Sequence, residues 1–262
     1  MKHAIFQMDI VPGHPEENRR RVGAWVKDIV KAELPDTIVL PEMWTTAYTL
    51  PELDKVADSA GEPTIPFLQG LAKNYHINII GGSFANKKDG KIYNTAVVIE
   101  RGGEIVYQYD KIHLVPMLDE EEYLTGGKQK AEIFELDGVK MGVIICYDLR
   151  FPELARSLAL QGAQILYVVA EWPWTRRDHW RALQIARAIE NQLFVVSSNR
   201  IGSYNNELFA GSSMIIDPWG KSLREGSESE EEILIESLSL QDSVKVRRNV
   251  PVFSSRVPEL YD

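Results

Sequence analysis

For a thiol to attack a carbonyl carbon it must be exposed at a turn, have a base to take its proton, and have donors for the oxyanion that forms. Cys146 is the one cysteine of the chain. It follows the apolar run Val143-Ile144-Ile145, which reads as a buried strand. It precedes Phe151-Pro152-Glu153, where proline in a first turn opens a helix. The thiol therefore falls on a strand-to-helix turn, beside free N–H groups and the positive end of a helix dipole. Both favour a thiolate. A lone cysteine is equally at home as a small buried hydrophobe, so position alone leaves both readings open.

Two kinds of base are available. The five histidines are His3, His14, His76, His113 and His179; none stands in a recognisable cysteine-protease setting, though His113 and His179 are not excluded by their distance along the chain. The carboxylate candidate is Glu42, which ends the apolar run Ile38-Val39-Leu40 just after Pro41. A carboxylate at the end of a buried strand is desolvated, which raises its proton affinity and suits a general base; an exposed turn glutamate is the bland alternative. Lys111 follows a β-rich run, where a lysine is more often a solvated edge charge. Metal chemistry fits poorly, because there is no Cys-x-x-Cys or His-x-x-x-His pair and one cysteine builds no structural zinc site. Gly81-Gly82 and Gly126-Gly127 lack the spacing of a dinucleotide or phosphate loop, so no cofactor is expected.

The elements that must position these residues alternate between strands and helices. Strands are expected at His3–Ile10, Thr37–Leu40 and Ile77–Phe84, with helices over Pro15–Glu33 and the stripe from Ile65 to Tyr75. Hairpins are expected for Ile92–Glu100 with Glu104–Asp110, and for Ile133–Leu136 with Val139–Cys146 around Asp137-Gly138. A helix Pro152–Gln161, a strand Ile165–Ala170, a helix Arg176–Gln192 and a strand Leu193–Asn199 follow. Met214–Asp217 and Glu232–Glu236 close the core around a Pro218-Trp219-Gly220 turn. Glu225–Glu232 reads as a solvated acidic turn, and 241–262 as a tail with little core of its own. Helices interleaved with both hairpins and single strands imply one α/β domain of packed sheets covered by helices.

Bulk properties narrow the partners. The 262 residues carry a formal net charge of −9, with 44% hydrophobic and 26% charged residues. That is ordinary globular composition, and its acidity argues against nucleic acid. No apolar run approaches a membrane span and the N-terminus lacks a signal-peptide pattern. With a single thiol, a cytoplasmic location is expected.

Three segments in order, Leu40-Pro41-Glu42-Met43, Tyr109-Asp110-Lys111-Ile112-His113-Leu114 and Ile145-Cys146-Tyr147-Asp148-Leu149-Arg150-Phe151-Pro152-Glu153, closely resemble the nitrilase superfamily of carbon–nitrogen hydrolases. So do His179-Trp180 through Arg187-Ala188-Ile189-Glu190-Asn191-Gln192 and the Asp217-Pro218-Trp219-Gly220 turn, so that the likeness spans essentially the whole chain. The resemblance implies a four-layer αββα sandwich pairing into an αββααββα homodimer, through helices Pro152–Gln161 and Arg176–Gln192, with the tail 241–262 packing at the interface. It implies Glu42 as general base, Lys111 and the Tyr147 backbone N–H as oxyanion donors, and Cys146 as the residue forming a thioester. A further glutamate, which helps position substrate and lysine, maps onto Glu120, with Glu121 and Glu122 as rival registers.

Within the family the chain looks closest to the ω-amidases, including bacterial members linked to methionine salvage, through its short length, its Cys146–Glu153 segment, Ala170-Glu171-Trp172-Pro173 and Asn249-Val250-Pro251-Val252-Phe253. That branch acts on α-keto acid ω-amides such as 2-oxoglutaramate. A substrate with a distal carboxylate calls for a cation, for which Arg176 and Arg177 are the candidates. Trp172 and Trp174 are candidate pocket walls, with packing at the dimer interface as the alternative. Asp148 and Arg150 are expected to support the turn rather than touch substrate. Rivals of the same fold are an N-carbamoyl hydrolase and a general aliphatic amidase, and a rival of another class is a redox-sensing or binding protein.

Overall fold

The computed structural model describes residues 1–261. Two sheets form its middle. In the first, the strands run in the order Glu232–Ser237, Lys2–Gln7, Thr37–Val39, Asn78–Lys88, Lys91–Ile99 and Ile105–Asp110, with the short Asp58–Ser59 pairing beside Asn78–Lys88. In the second, the order is Ser222–Glu225, Met214–Ile216, Phe194–Asn199, Ile165–Ala170, Val139–Ile145 and Phe134–Leu136. Each sheet has three parallel strands at its centre and antiparallel strands on its flanks.

Period-two alternation sorts the side chains into layers. Ile5, Val39 and Ile80 face the second sheet and join Val143, Ile145, Val169 and Val196 in one core. Ala4, Phe6, Ile38, Leu40 and Ile79 face the other way. There they bury Val22, Val26 and Ile29 of the helix Pro15–Glu33, and Ile65, Leu68 and Ala72 of the helix Thr64–Tyr75. The outer face of the second sheet carries Ala155, Leu158 and Ala159 of Pro152–Leu160 and Trp180 and Ala188 of Arg177–Asn191. The result is the αββα order the resemblance implied.

Most expected elements are present with ends moved by one to three residues, and both hairpins form. Two expectations need correction. The Pro218-Trp219-Gly220 turn leads back into a strand of its own, Ser222–Glu225, which pairs with Met214–Ile216, while Glu232–Ser237 crosses to the first sheet beside Lys2–Gln7. Half-exposed Ser222-Leu223-Arg224-Glu225 carries too little apolar alternation to announce a strand. The expected tail contains the helix Gln241–Asn249, which buries Ser243 and Val246 and is gripped by Gln192, whose Nε2 donates to the Val250 carbonyl at 2.6 Å. Asp262 lies outside the described residues. Among those described, no helix is long and apolar enough to cross a membrane.

Candidate active site

The site lies past the ends of the central parallel strands, where open α/β sheets commonly place ligands. Cys146 follows Val139–Ile145 directly and begins a 3₁₀ turn, Cys146–Arg150, with φ +44°. A β-carbon in the left-handed region is strained, a conformation that persists where the surroundings hold it. The holder is Asp148, fully buried, whose Oδ2 accepts the Ile145 N–H at 3.2 Å and the Tyr109 hydroxyl at 2.8 Å. Its Oδ1 accepts the His113 N–H at 3.1 Å and lies 2.8 Å from His113 Nδ1. Strand end and turn are thereby locked to the segment that carries Lys111.

Glu42 follows Thr37–Val39 on a loop held by the facing strand Asn78–Lys88. That strand bulges at Gly81-Gly82, and the Ser83 N–H donates to the Pro41 carbonyl at 3.1 Å. Gly82 has φ +59°, and a β-carbon there would stand 2.0 Å from the Pro41 carbonyl oxygen. Only glycine admits this approach. The Met43 N–H donates to Ser83 Oγ at 3.0 Å and Trp44 Nε1 to the Gly81 carbonyl at 2.8 Å.

Lys111 follows Ile105–Asp110. Its N–H donates to the Asn94 carbonyl at 2.9 Å, and its own carbonyl accepts the Gly127 N–H at 2.8 Å. A β-carbon at Gly127 would stand 2.2 Å from the Asp110 carbonyl oxygen, so this glycine too is set by close approach. The ammonium is fully buried between two carboxylates. It donates to Glu42 Oε1 at 3.1 Å, to Glu120 Oε1 and Oε2 at 2.9 and 3.1 Å, and to the Tyr48 hydroxyl at 2.8 Å. Burial works against the charge, but Glu120 and then Glu42 outweigh it and hold the ammonium above its ordinary pKa. Lys111 is thus a fixed cation.

Glu42 divides its two oxygens unequally. Oε1 accepts from Tyr48 at 2.7 Å, Asn94 Nδ2 at 2.8 Å and Lys111, while Oε2 accepts the Glu171 N–H at 2.7 Å. Oε2 therefore retains the capacity to take a proton. The Cys146 thiol, buried and next to Glu42, has its pKa pushed well above the ordinary value, first by burial and then by the Glu42 charge, with Lys111 opposing. At rest the sulfur is a thiol that needs a base.

Cys146 opens this cluster on a cavity of about 550 Å³, within the range of small-molecule sites. Cys146, Tyr147, Tyr48 and Trp172 line it, together with Met117, Leu118 and Tyr123 from the segment beside Glu120. Arg150 and Arg176 lie in the same wall and bear on each other electrostatically. Among the described residues neither has a carboxylate partner; Arg150 leans on the Trp172 ring, 4.6 Å from its centroid. Among the described residues no group of His, Cys, Asp and Glu is arranged to hold a metal ion.

A family model described as carbon–nitrogen hydrolase matches residues 2–248. The chain belongs to the carbon–nitrogen hydrolase family. This hydrolase is 44% identical over 258 residues to the 2-oxoglutaramate amidase of Bacillus subtilis, covering 98% of each chain. It is 42% identical over 262 residues to a hydrolase in the agr operon of Staphylococcus aureus, covering 100% of each. Among solved structures it is similar to a carbon–nitrogen hydrolase from Helicobacter pylori, with a TM-score of 0.92 at 25% identity, covering 100% of this chain and 96% of the other.

The structure gathers Glu42, Lys111, Glu120 and Cys146 into one cluster in this hydrolase. Of the three adjacent glutamates, Glu120 is buried on Lys111, also accepting the Val115 N–H at 3.0 Å, while Glu121 and Glu122 are exposed. Trp172 and Arg176 line the cavity. Arg177 does not: it stacks on Trp174 at 4.4 Å and lies 3.4 Å from Glu228, because it starts the helix one residue beyond the cavity wall. Trp174 likewise faces outward, its Nε1 donating to Glu228. Arg150, expected to brace the turn, lies over the Tyr147 ring of that turn at 5.8 Å and also lines the cavity. Asp148 does the bracing. Sequence reading missed Tyr48, Asn94 and the buried pair Glu171–Arg200. Tyr48 stands six residues past Glu42 and Glu171 at the end of an apolar strand, signals of the kind used for Glu42 itself.

Proposed function

We propose that this hydrolase is an ω-amidase that cleaves α-keto acid ω-amides of the 2-oxoglutaramate type through a Cys146 thioester. Oε2 of Glu42 takes the thiol proton as Sγ attacks the carboxamide carbon. Lys111 Nζ and the Tyr147 N–H, which has no intrahelical partner at the start of its turn, stabilise the oxyanion. Glu120 holds Lys111 in place. Protonated Glu42 passes its proton to the departing nitrogen, ammonia leaves, and Glu42 then deprotonates a water that hydrolyses the thioester. The free acid departs and Cys146 recovers its proton.

The observation that carries the substrate class is that two guanidiniums, Arg150 and Arg176, line the same cavity as Cys146 without a carboxylate partner among the described residues, on a protein of net charge −9. Carboxylate at the far end of the amide supplies their missing anion. The match to a 2-oxoglutaramate amidase supports the same class. The test is ammonia release from keto-acid ω-amides, neutral aliphatic amides, nitriles and N-carbamoyl amino acids. Preference for the keto-acid amides is expected; preference for any of the others overturns the reading.

For the assembly, exposed Leu160 and Ile189 on the second sheet's helices support a homodimer through that layer, which the mass of the protein in solution checks. A catalytic thiol as the sole cysteine suits the reducing cytoplasm.

A further inference from the structure

None of the steps above uses the side chains of Glu171 and Arg200. They follow the adjacent parallel strands Ile165–Ala170 and Phe194–Asn199, whose register pairs Ala170 with Asn199, so the two residues emerge side by side. Arg200 Nη1 donates to Glu171 Oε2 at 3.0 Å, with both side chains fully buried. The guanidinium is fixed on its other edges as well. Nη2 donates to the Ile10 carbonyl and Asp9 Oδ1, each at 3.1 Å, Nε donates to the Ile201 carbonyl at 3.0 Å, and Phe209 lies under it at 4.2 Å. Among the described residues, buried Glu171 Oε1 accepts no hydrogen bond. From the other side of the same residue, the Glu171 N–H reaches Glu42 Oε2 at 2.7 Å.

We propose that Glu171 and Arg200 form a positioning pair for Glu42, fixing the N–H that orients its basic oxygen and setting a carboxyl beside it whose charge governs proton transfer. The inference rests on the reading of Glu42 as base. The charged groups facing the Glu171 carboxyl are Arg200, Glu42 and Lys111, with Asp9 acting on it through Arg200. Burial pushes this carboxyl up to about 8, against the pull of Arg200 and with that of Glu42. While it is neutral, Glu42 and the forming oxyanion meet no extra anion. As it ionises on the alkaline side, a second negative charge opposes formation of the thiolate and the oxyanion, and kcat/KM falls.

The test is the pH profile of kcat/KM on 2-oxoglutaramate for the wild type, Glu171→Gln, Asp9→Asn and Glu42→Gln, with thermal unfolding recorded for each. Glu171→Gln keeps the shape and cannot ionise, so its alkaline limb should move up by about half a pH unit or more. Asp9→Asn takes a competing anion off Arg200, so Glu171 ionises earlier and the limb should move down. Activity lowered by one factor at every pH, or unchanged, with the limb in place in both variants, overturns the proposal. If Glu171→Gln does not fold, Asp9→Asn, on a half-exposed residue, decides alone. Full turnover by Glu42→Gln overturns the base assignment and the pair together, whereas an inactive Glu42→Gln with unmoved limbs in the others removes the pair alone.

Discussion

The hydroxyl of Tyr109 donates to Asp148 Oδ2 at 2.8 Å, and this bond ties the strand that delivers Lys111 to the turn that delivers Cys146. Tyr109 lies in the first sheet and Asp148 on the turn that leaves the second, so the bond fixes one catalytic candidate relative to another. Asp148→Ala strips four donors of their acceptor and is expected to cost ~3 kcal/mol or more. Tyr109→Phe removes one bond and should cost about 1 kcal/mol. Denaturant unfolding separates the two, and the larger loss should accompany the larger fall in kcat.

Cys146→Ala is expected to abolish ammonia release, and Glu42→Gln and Lys111→Met to lower kcat by at least about a thousandfold each. Combining two of the changes should cost little more than the worse one, because the groups act as a unit. Additive losses in a single-turnover assay would show that they do not share one step.

Arg150→Ala and Arg176→Ala should each raise KM for a keto-acid ω-amide about 10–100-fold, the worth of a charge-assisted contact. A neutral aliphatic amide of similar length should lose nothing. Arg177→Ala, whose side chain stacks on Trp174 outside the cavity, should leave both substrates as they were. Steady-state kinetics on the pair of substrates reads the difference directly.

Gly82→Ala should fail to fold or unfold at much lower temperature, since its β-carbon would collide with the Pro41 carbonyl and φ is +59°. Gly90, at φ +74° but with open space around it, provides the control: Gly90→Ala should cost only the backbone strain, about 1 kcal/mol. Thermal melts of the two variants make the comparison.

His3 is buried between the sheets, Nε2 2.9 Å from the Tyr167 hydroxyl, and burial lowers its pKa from 6.5 to about 4. The unfolded chain therefore binds this proton more readily than the folded one. The stability contributed by neutral His3 is present above about pH 6.5 and is lost as pH falls toward 4. His3→Gln should flatten the slope of Tm against pH within that window.

The amino-acid sequence determined the strand ends. Apolar runs closed by Pro41, by Tyr109-Asp110 and by the Cys146 turn placed Glu42, Lys111 and Cys146 at the edges of sheets, because period-two burial and turn chemistry are local properties. It also determined the helices Pro15–Glu33 and Thr64–Tyr75, whose apolar stripes repeat at 3.6 residues. Only the tertiary structure decided which of those edges meet. Glu42 and Lys111 are 69 residues apart and Glu42 and Glu171 are 129 apart, yet each pair is within hydrogen-bonding distance. Such contacts depend on sheet order and on how two sheets stack, which no short stretch of sequence encodes. The same holds for the cations. Arg150, Arg176 and Arg177 look alike in the sequence, but Arg176 closes a 3₁₀ turn on the cavity wall and Arg177 opens the helix that follows, where its guanidinium packs on Trp174 outside the cavity.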